Sequence, residues 1–73
     1  MAVMRRLMLL RHAKSAWPAN TADRDRPLAT RGREAAPLMG RYLAEELLLP
    51  DLVLISPAKR TVETWELVRP MLP

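Results

Sequence analysis

Leu7-Met8-Leu9-Leu10 is an apolar run that stops abruptly on Arg11 and His12, the only histidine in the chain. A run so short and so uniformly apolar reads as a strand buried on both faces, as in parallel sheets. In open α/β sheets, ligands sit in the crevice beyond the carboxyl ends of the strands. Arg11 and His12 fall at that crevice. A lone histidine is a weak signal, because most are surface or satisfied residues. Placed with an arginine at the end of an apolar strand it is a stronger one, since the two together call for a ligand or partner.

Lys14 to Ala29 has neither helical nor strand periodicity and contains Pro18, Asn20, Pro27 and the charged stretch Asp23-Arg24-Asp25-Arg26. An unstructured connection of about 16 residues is long for a compact domain and is usually functional or disordered. Pro27 pushes Arg26 towards extended backbone, so its side chain projects from a stiff segment. A helix is expected from Thr30, read as its N-cap, with Ala35, Leu38, Met39, Tyr42, Leu43 and Leu47 as the core-facing stripe. Pro37 removes one helical hydrogen bond, which predicts a loose first turn and a regular helix from about Pro37.

Pro50-Asp51 then breaks the chain, and Leu52-Val53-Leu54-Ile55 reads as a second short buried strand. Strand, helix, strand is the βαβ pattern, with parallel strands and a right-handed crossover. After it, Ser56 suits an N-cap and Pro57 the first turn of a second helix. Ala58, Thr61, Val62, Trp65, Val68 and Arg69 form its stripe, with Trp65 read as a core anchor. The expected fold class is therefore α/β, a βαβα unit with parallel strands.

On that topology, Arg11-His12 and the Ser56…Arg60 turn converge at one sheet edge. A helix N-terminus favours anions, and arginine offers a planar fork that matches phosphate. Arg26 is a third cationic candidate. A neutral imidazole among such groups can attack phosphorus and form a covalent phosphohistidine. Spacing alone supports phosphate binding without naming a reaction.

Composition narrows the alternatives. The 73 residues carry a net charge of +4 and no cysteine. That excludes disulfides and thiolate metal sites, and one histidine argues against a protein-only zinc site. The basic balance suits an anionic partner, but the aromatics are too few to stack nucleic-acid bases. No apolar stretch approaches the roughly 20 residues needed to span a membrane, and Arg5-Arg6 before Leu7 lacks the rest of a signal peptide. A cytoplasmic location is the default expectation.

Leu9-Leu10-Arg11-His12-Ala13-Lys14-Ser15, Arg26-Pro27-Leu28-Ala29-Thr30-Arg31-Gly32 and Ser56-Pro57-Ala58-Lys59-Arg60 with Thr64 resemble, in order and placement, the histidine phosphatase superfamily. Within it, Arg-His-Ala-Lys-Ser with Trp17 just after is most similar to SixA-like phosphohistidine phosphatases. Phosphoglycerate mutases usually show Arg-His-Gly-Glu with an asparagine further on, near where Pro18 stands. The resemblance implies a three-layer α/β/α phosphoglycerate mutase-like fold, of which residues 1–73 would be the N-terminal half. It implies hydrolysis of phosphohistidine or a phosphomonoester, with His12 as the phosphorylated nucleophile and Arg11, Arg26 and Arg60 holding the phosphate. Arg11 and Arg60 are expected to share in catalysis.

No metal or cofactor is implied. The expected partner is a phosphorylated protein or a small phosphorylated substrate, with neither nucleic acid nor membrane, and exposed sheet edges are open to pairing between copies. Members of the family carry a second catalytic histidine later in the sequence, and this chain has none. That keeps a non-catalytic phosphate-binding or protein-interaction module as the alternative.

Overall fold

In the computed structural model, which describes residues 5–73, two helices carry the packing. Helix α1 spans Thr30–Glu45 and α2 spans Lys59–Val68, and they pack on each other. Short 3-10 turns at Asp23–Asp25 and Arg69–Met71 lie before α1 and after α2, the second one returning against α1.

The expected parallel strands are not formed. Among the described residues no ladder joins Leu7–Leu10 to Leu52–Ile55, and the β pairing is one isolated antiparallel bridge between Ser15 and Leu28. The βαβα reading, and with it the three-layer sheet and its edges, is corrected accordingly. Exposure still alternates along both runs: Leu7, Leu9, Leu52 and Leu54 stand open, while Met8, Leu10, Val53 and Ile55 are about half covered. All eight are nevertheless exposed, so neither run is the strand buried on both faces that its apolarity predicts. Strand propensity resides in a segment, but a sheet requires a hydrogen-bonded neighbour, and neither run has one here.

Helix α1 also differs from its expected form. Ala29, in extended conformation, occupies the N-cap, and Thr30 is the first helical residue. Pro37 lies inside an unbroken helix instead of restarting it. The carbonyl that Pro37 leaves without a helical donor belongs to Arg33, an exposed residue, where water can satisfy it. At the other end Leu47 takes a left-handed conformation, φ 56°, so that the Leu47 and Leu48 N–H groups donate to the Ala44 and Leu43 carbonyls. This closes the helix in a Schellman motif.

The packed face is the larger correction. Gly32, Ala36 and Gly40 are buried, whereas Ala35, Leu38, Met39, Tyr42 and Leu47 stay exposed. Backbone proximity explains it. A Cβ at Gly32 would run into the Lys14 carbonyl, and one at Gly40 would lie 2.7 Å from the Val68 carbonyl. Small residues four apart stack on one helical face and let the chain approach where larger ones could not. In α2, Thr64 and Val68 are buried and Trp65 only partly so. Ala58 is the N-cap, and the Ser56 hydroxyl accepts from the Ala58 N–H at 3.2 Å in the turn before it.

Gly32→Ala is expected to destabilise the chain by about 1–3 kcal/mol through overpacking against backbone. Urea unfolding measures this, and the amide resonances of residues 12–16 should shift more than those of α2.

Candidate functional site

The segment after His12 is positioned through its backbone. The Ala13 N–H donates to Thr64 Oγ1 at 3.1 Å, and the same hydroxyl donates to the Arg60 carbonyl at 2.7 Å. The Lys14 carbonyl accepts from the Ala29 N–H, and the Ala16 N–H donates to the Pro27 carbonyl, both at 2.9 Å. Residues 14–29, expected to lack structure, thus form a loop cinched at its base by the Ser15–Leu28 bridge. Glu63 of α2 locks that base. Its carboxylate accepts from the Leu28 N–H at 3.0 Å and pairs with Arg33 of α1.

These constraints bring Arg11, His12, Lys14, Ser15, Trp17, Arg26 and Arg60 around one open cleft of about 470 Å³, ample for a phosphoryl group. His12 Nδ1 lies 2.8 Å from the Ala13 carbonyl. A carbonyl only accepts, so Nδ1 is the nitrogen that carries a proton here, and in the neutral form of the ring the lone pair falls on Nε2. Arg11 is exposed at the cleft, and among the described residues its guanidinium donates to no protein acceptor. The expected meeting of Arg11, His12, Arg26 and Arg60 is therefore found, although α2 and the loop, not paired strands, arrange it.

The arginines are not equivalent. Arg26 is buried, with 7% of its surface exposed. Its Nε donates to the Ala16 carbonyl at 3.0 Å, Nη1 to Asp23 Oδ1 at 3.0 Å and Nη2 to Ser15 Oγ at 2.6 Å. The Trp17 ring covers the guanidinium, with its centroid 3.1 Å from Cζ. Burying a cation is tolerable only with such partners. Arg60, on the first turn of α2, donates from Nη1 to the Asp23 carbonyl at 2.8 Å and from Nη2 to Asp23 Oδ2 at 3.2 Å. The hydrogen bond from Arg26, then the charge of Arg60, holds the Asp23 carboxyl below its ordinary value.

Sequence reasoning left Ser15, Asp23 and Thr64 without roles. Asp23 lies in a charged stretch without periodicity, and the spacing around Thr64 says nothing of its hydroxyl. The described residues include no group of three or more His, Asp or Glu side chains suited to a metal ion, and no helix long and apolar enough to cross a membrane.

Residues 7–72 match the model of the histidine phosphatase superfamily, branch 1. An uncharacterized protein of Mycobacterium tuberculosis is 51% identical over 55 residues, which is 75% of this chain and 35% of the relative. The crystal structure of SixA from Agrobacterium tumefaciens superposes with a TM-score of 0.81 at 36% identity, covering 86% of this chain and 42% of that one. The structure of the protein histidine phosphatase SixA complexed with tungstate gives a TM-score of 0.79 at 35% identity, over 86% and 40% of the two chains. The chain spans about a third of the length of the curated relatives it matches.

Arg26→Ala should cost about 2–4 kcal/mol, because it strips partners from Ser15 and Asp23 inside the loop. Arg11→Ala should change stability by less than about 0.5 kcal/mol, which urea titration of both variants checks. Lowering the pH gives a further test. Asp23 has a depressed carboxyl, so its contribution is complete above 3.8, its ordinary value, and is lost only as the pH falls below that. The resonances of the Arg26 and Arg60 side chains should hold steady to about pH 4 and change together below it.

Proposed function

The chain belongs to branch 1 of the histidine phosphatase superfamily, and on that premise we propose that it serves a phosphatase that forms a covalent phosphohistidine at His12. The observation that carries this is the ring of His12, with Nδ1 tied to the Ala13 carbonyl, in a cleft shared with Arg11, Arg26 and Arg60. The lone pair on Nε2 attacks phosphorus, a P–N bond forms to His12, and the bond to the leaving group breaks, its electron pair going to the ester oxygen of a phosphomonoester or to the nitrogen of a phosphohistidine. Water then hydrolyses the phosphohistidine. Charge on the transferring phosphoryl group is met by guanidinium donors, the main service a protein renders in such a transfer.

The substrate class we assign is phosphohistidine on a protein, or a phosphomonoester. The protein histidine phosphatase SixA supports the first, and its complex with tungstate, a tetrahedral oxyanion shaped like phosphate, supports a phosphate-like ligand. We read residues 1–73 as the N-terminal half of one histidine phosphatase domain, a reading supported by coverage of about two-fifths of the SixA chains. A second reading, phosphate binding without turnover, is favoured by the cationic lining of the cleft, which needs no chemical step to hold an anion.

Incubating the chain with phosphoramidate, a donor that phosphorylates imidazoles, separates the two. An acid-labile phosphate on the wild type that is missing from His12→Ala is the expected result. Phosphate binding with no label would favour the second reading, and a label that survives in His12→Ala would reject His12 as the nucleophile.

A further inference from the structure

Asp23 is the carboxylate that joins the cleft's two tethered arginines. Its two oxygens are divided, Oδ1 accepting from Arg26 at 3.0 Å and Oδ2 from Arg60 at 3.2 Å. Its own backbone carbonyl takes a second bond from Arg60 at 2.8 Å. The loop that carries Asp23 is itself fixed, since Arg26 ties it to Ser15 and Ala16. Arg60, by contrast, extends from α2, and its contacts with residue 23 bridge helix and loop.

The planar guanidinium makes that bridge directional. Both acceptors on residue 23 meet the edge of Arg60 that carries Nη1 and Nη2. The opposite edge, Nε with the second N–H of Nη2, is a parallel pair of donors of the kind that matches two oxygens of a tetrahedral anion. Among the described residues, Arg60 Nε donates to no protein acceptor, and Arg60 lines the cleft together with His12. Lysine could not be held this way, because an ammonium has no second edge.

We propose that Asp23 is a positioning residue for the anion site, holding Arg60 by one edge so that the other is presented to a phosphoryl group. The proposal rests on the reading of this cleft as a phosphate site. Its alternative is competition, in which the carboxylate merely occupies a guanidinium that an anion needs. The two differ in sign. Simple charge says that removing a carboxylate from a cationic cleft tightens anion binding. Positioning says that the same change loosens it, because Arg60 regains its rotamers and must be ordered afresh by the ligand.

The experiment measures inorganic phosphate binding by calorimetry to the 73-residue chain and to Asp23→Asn, Asp23→Glu and Asp25→Asn. Asp25 stands on the same 3-10 turn, exposed, and makes no ion pair among the described residues, so its variant reports the charge effect alone. Asp23→Asn should weaken phosphate binding by about five- to tenfold, with Asp23→Glu recovering part of it and Asp25→Asn staying within about twofold. In parallel, NMR of the Arg60 Nε–H should find slow guanidinium rotation in the wild type and fast rotation in Asp23→Asn, with no ligand present. Equal or tighter phosphate binding by Asp23→Asn overturns the proposal, and so does unaltered rotation. A wild type that binds no phosphate overturns the reading of the cleft itself. The rotation measurement would then show Asp23 to be a structural clasp only, so the two failures remain distinct.

Discussion

A buried guanidinium has to have its donors filled, and the loop between Lys14 and Ala29 is shaped by that requirement at Arg26. Ala16, Ser15 and Asp23 each supply one acceptor, and Trp17 closes over the open face. None of these contacts by itself is worth much against the entropy of ordering a loop, but a cation left in the interior without them would cost far more. The loop therefore closes around Arg26 as a unit. Its base then fixes the backbone that follows His12, and its 3-10 turn supplies the carboxylate that reaches Arg60.

The positions of Arg11, His12 and Arg60 were legible from the chain because each stands next to an abrupt change in pattern. Two end an apolar run, and one opens a helix. The route by which they meet was not legible. Parallel strands ending at one edge were expected to deliver them, whereas the structure uses the Thr64 hydroxyl and the paired carbonyls at the base of the loop. Side-chain-to-backbone bonds between residues 51 positions apart leave no periodic trace in a sequence. The role expected of Arg26 was blurred for a related reason. An arginine before a proline advertises a stiff, projecting side chain, but nothing local says that Ser15 and Ala16 will fold back to receive it.

The helices themselves were legible and their faces were not. Hydropathy singles out Leu38, Met39 and Tyr42, yet the face that packs is Gly32, Ala36 and Gly40. Burial by area favours large residues, whereas close approach of two backbones favours small ones, and α1 follows the second rule on both its contacts. At Gly32 the contact is with Lys14, so the packing of α1 and the placement of the segment after His12 are a single constraint. The apolar runs Leu7–Leu10 and Leu52–Ile55 fail for the opposite reason. Uniform apolarity reads as strands buried on both faces, yet all eight residues are exposed, because pairing is a property of two segments and no single run encodes it.

The three arginines at the cleft form a graded series, and that gradation bears on the proposed phosphate site. Arg26 has a protein acceptor on every nitrogen. Arg60 has them on its two terminal nitrogens. Arg11 is exposed, with no protein acceptor among the described residues. Unfilled donors thus increase from Arg26 through Arg60 to Arg11, and all three line the cleft together with His12. A planar carboxylate could occupy one fork. A tetrahedral anion has oxygens enough to meet Arg11 and the open edge of Arg60 together, while presenting its central atom to the imidazole. Charge alone would attract either ligand; on the proposed reading of the cleft, the number of unfilled donors suits the tetrahedral one.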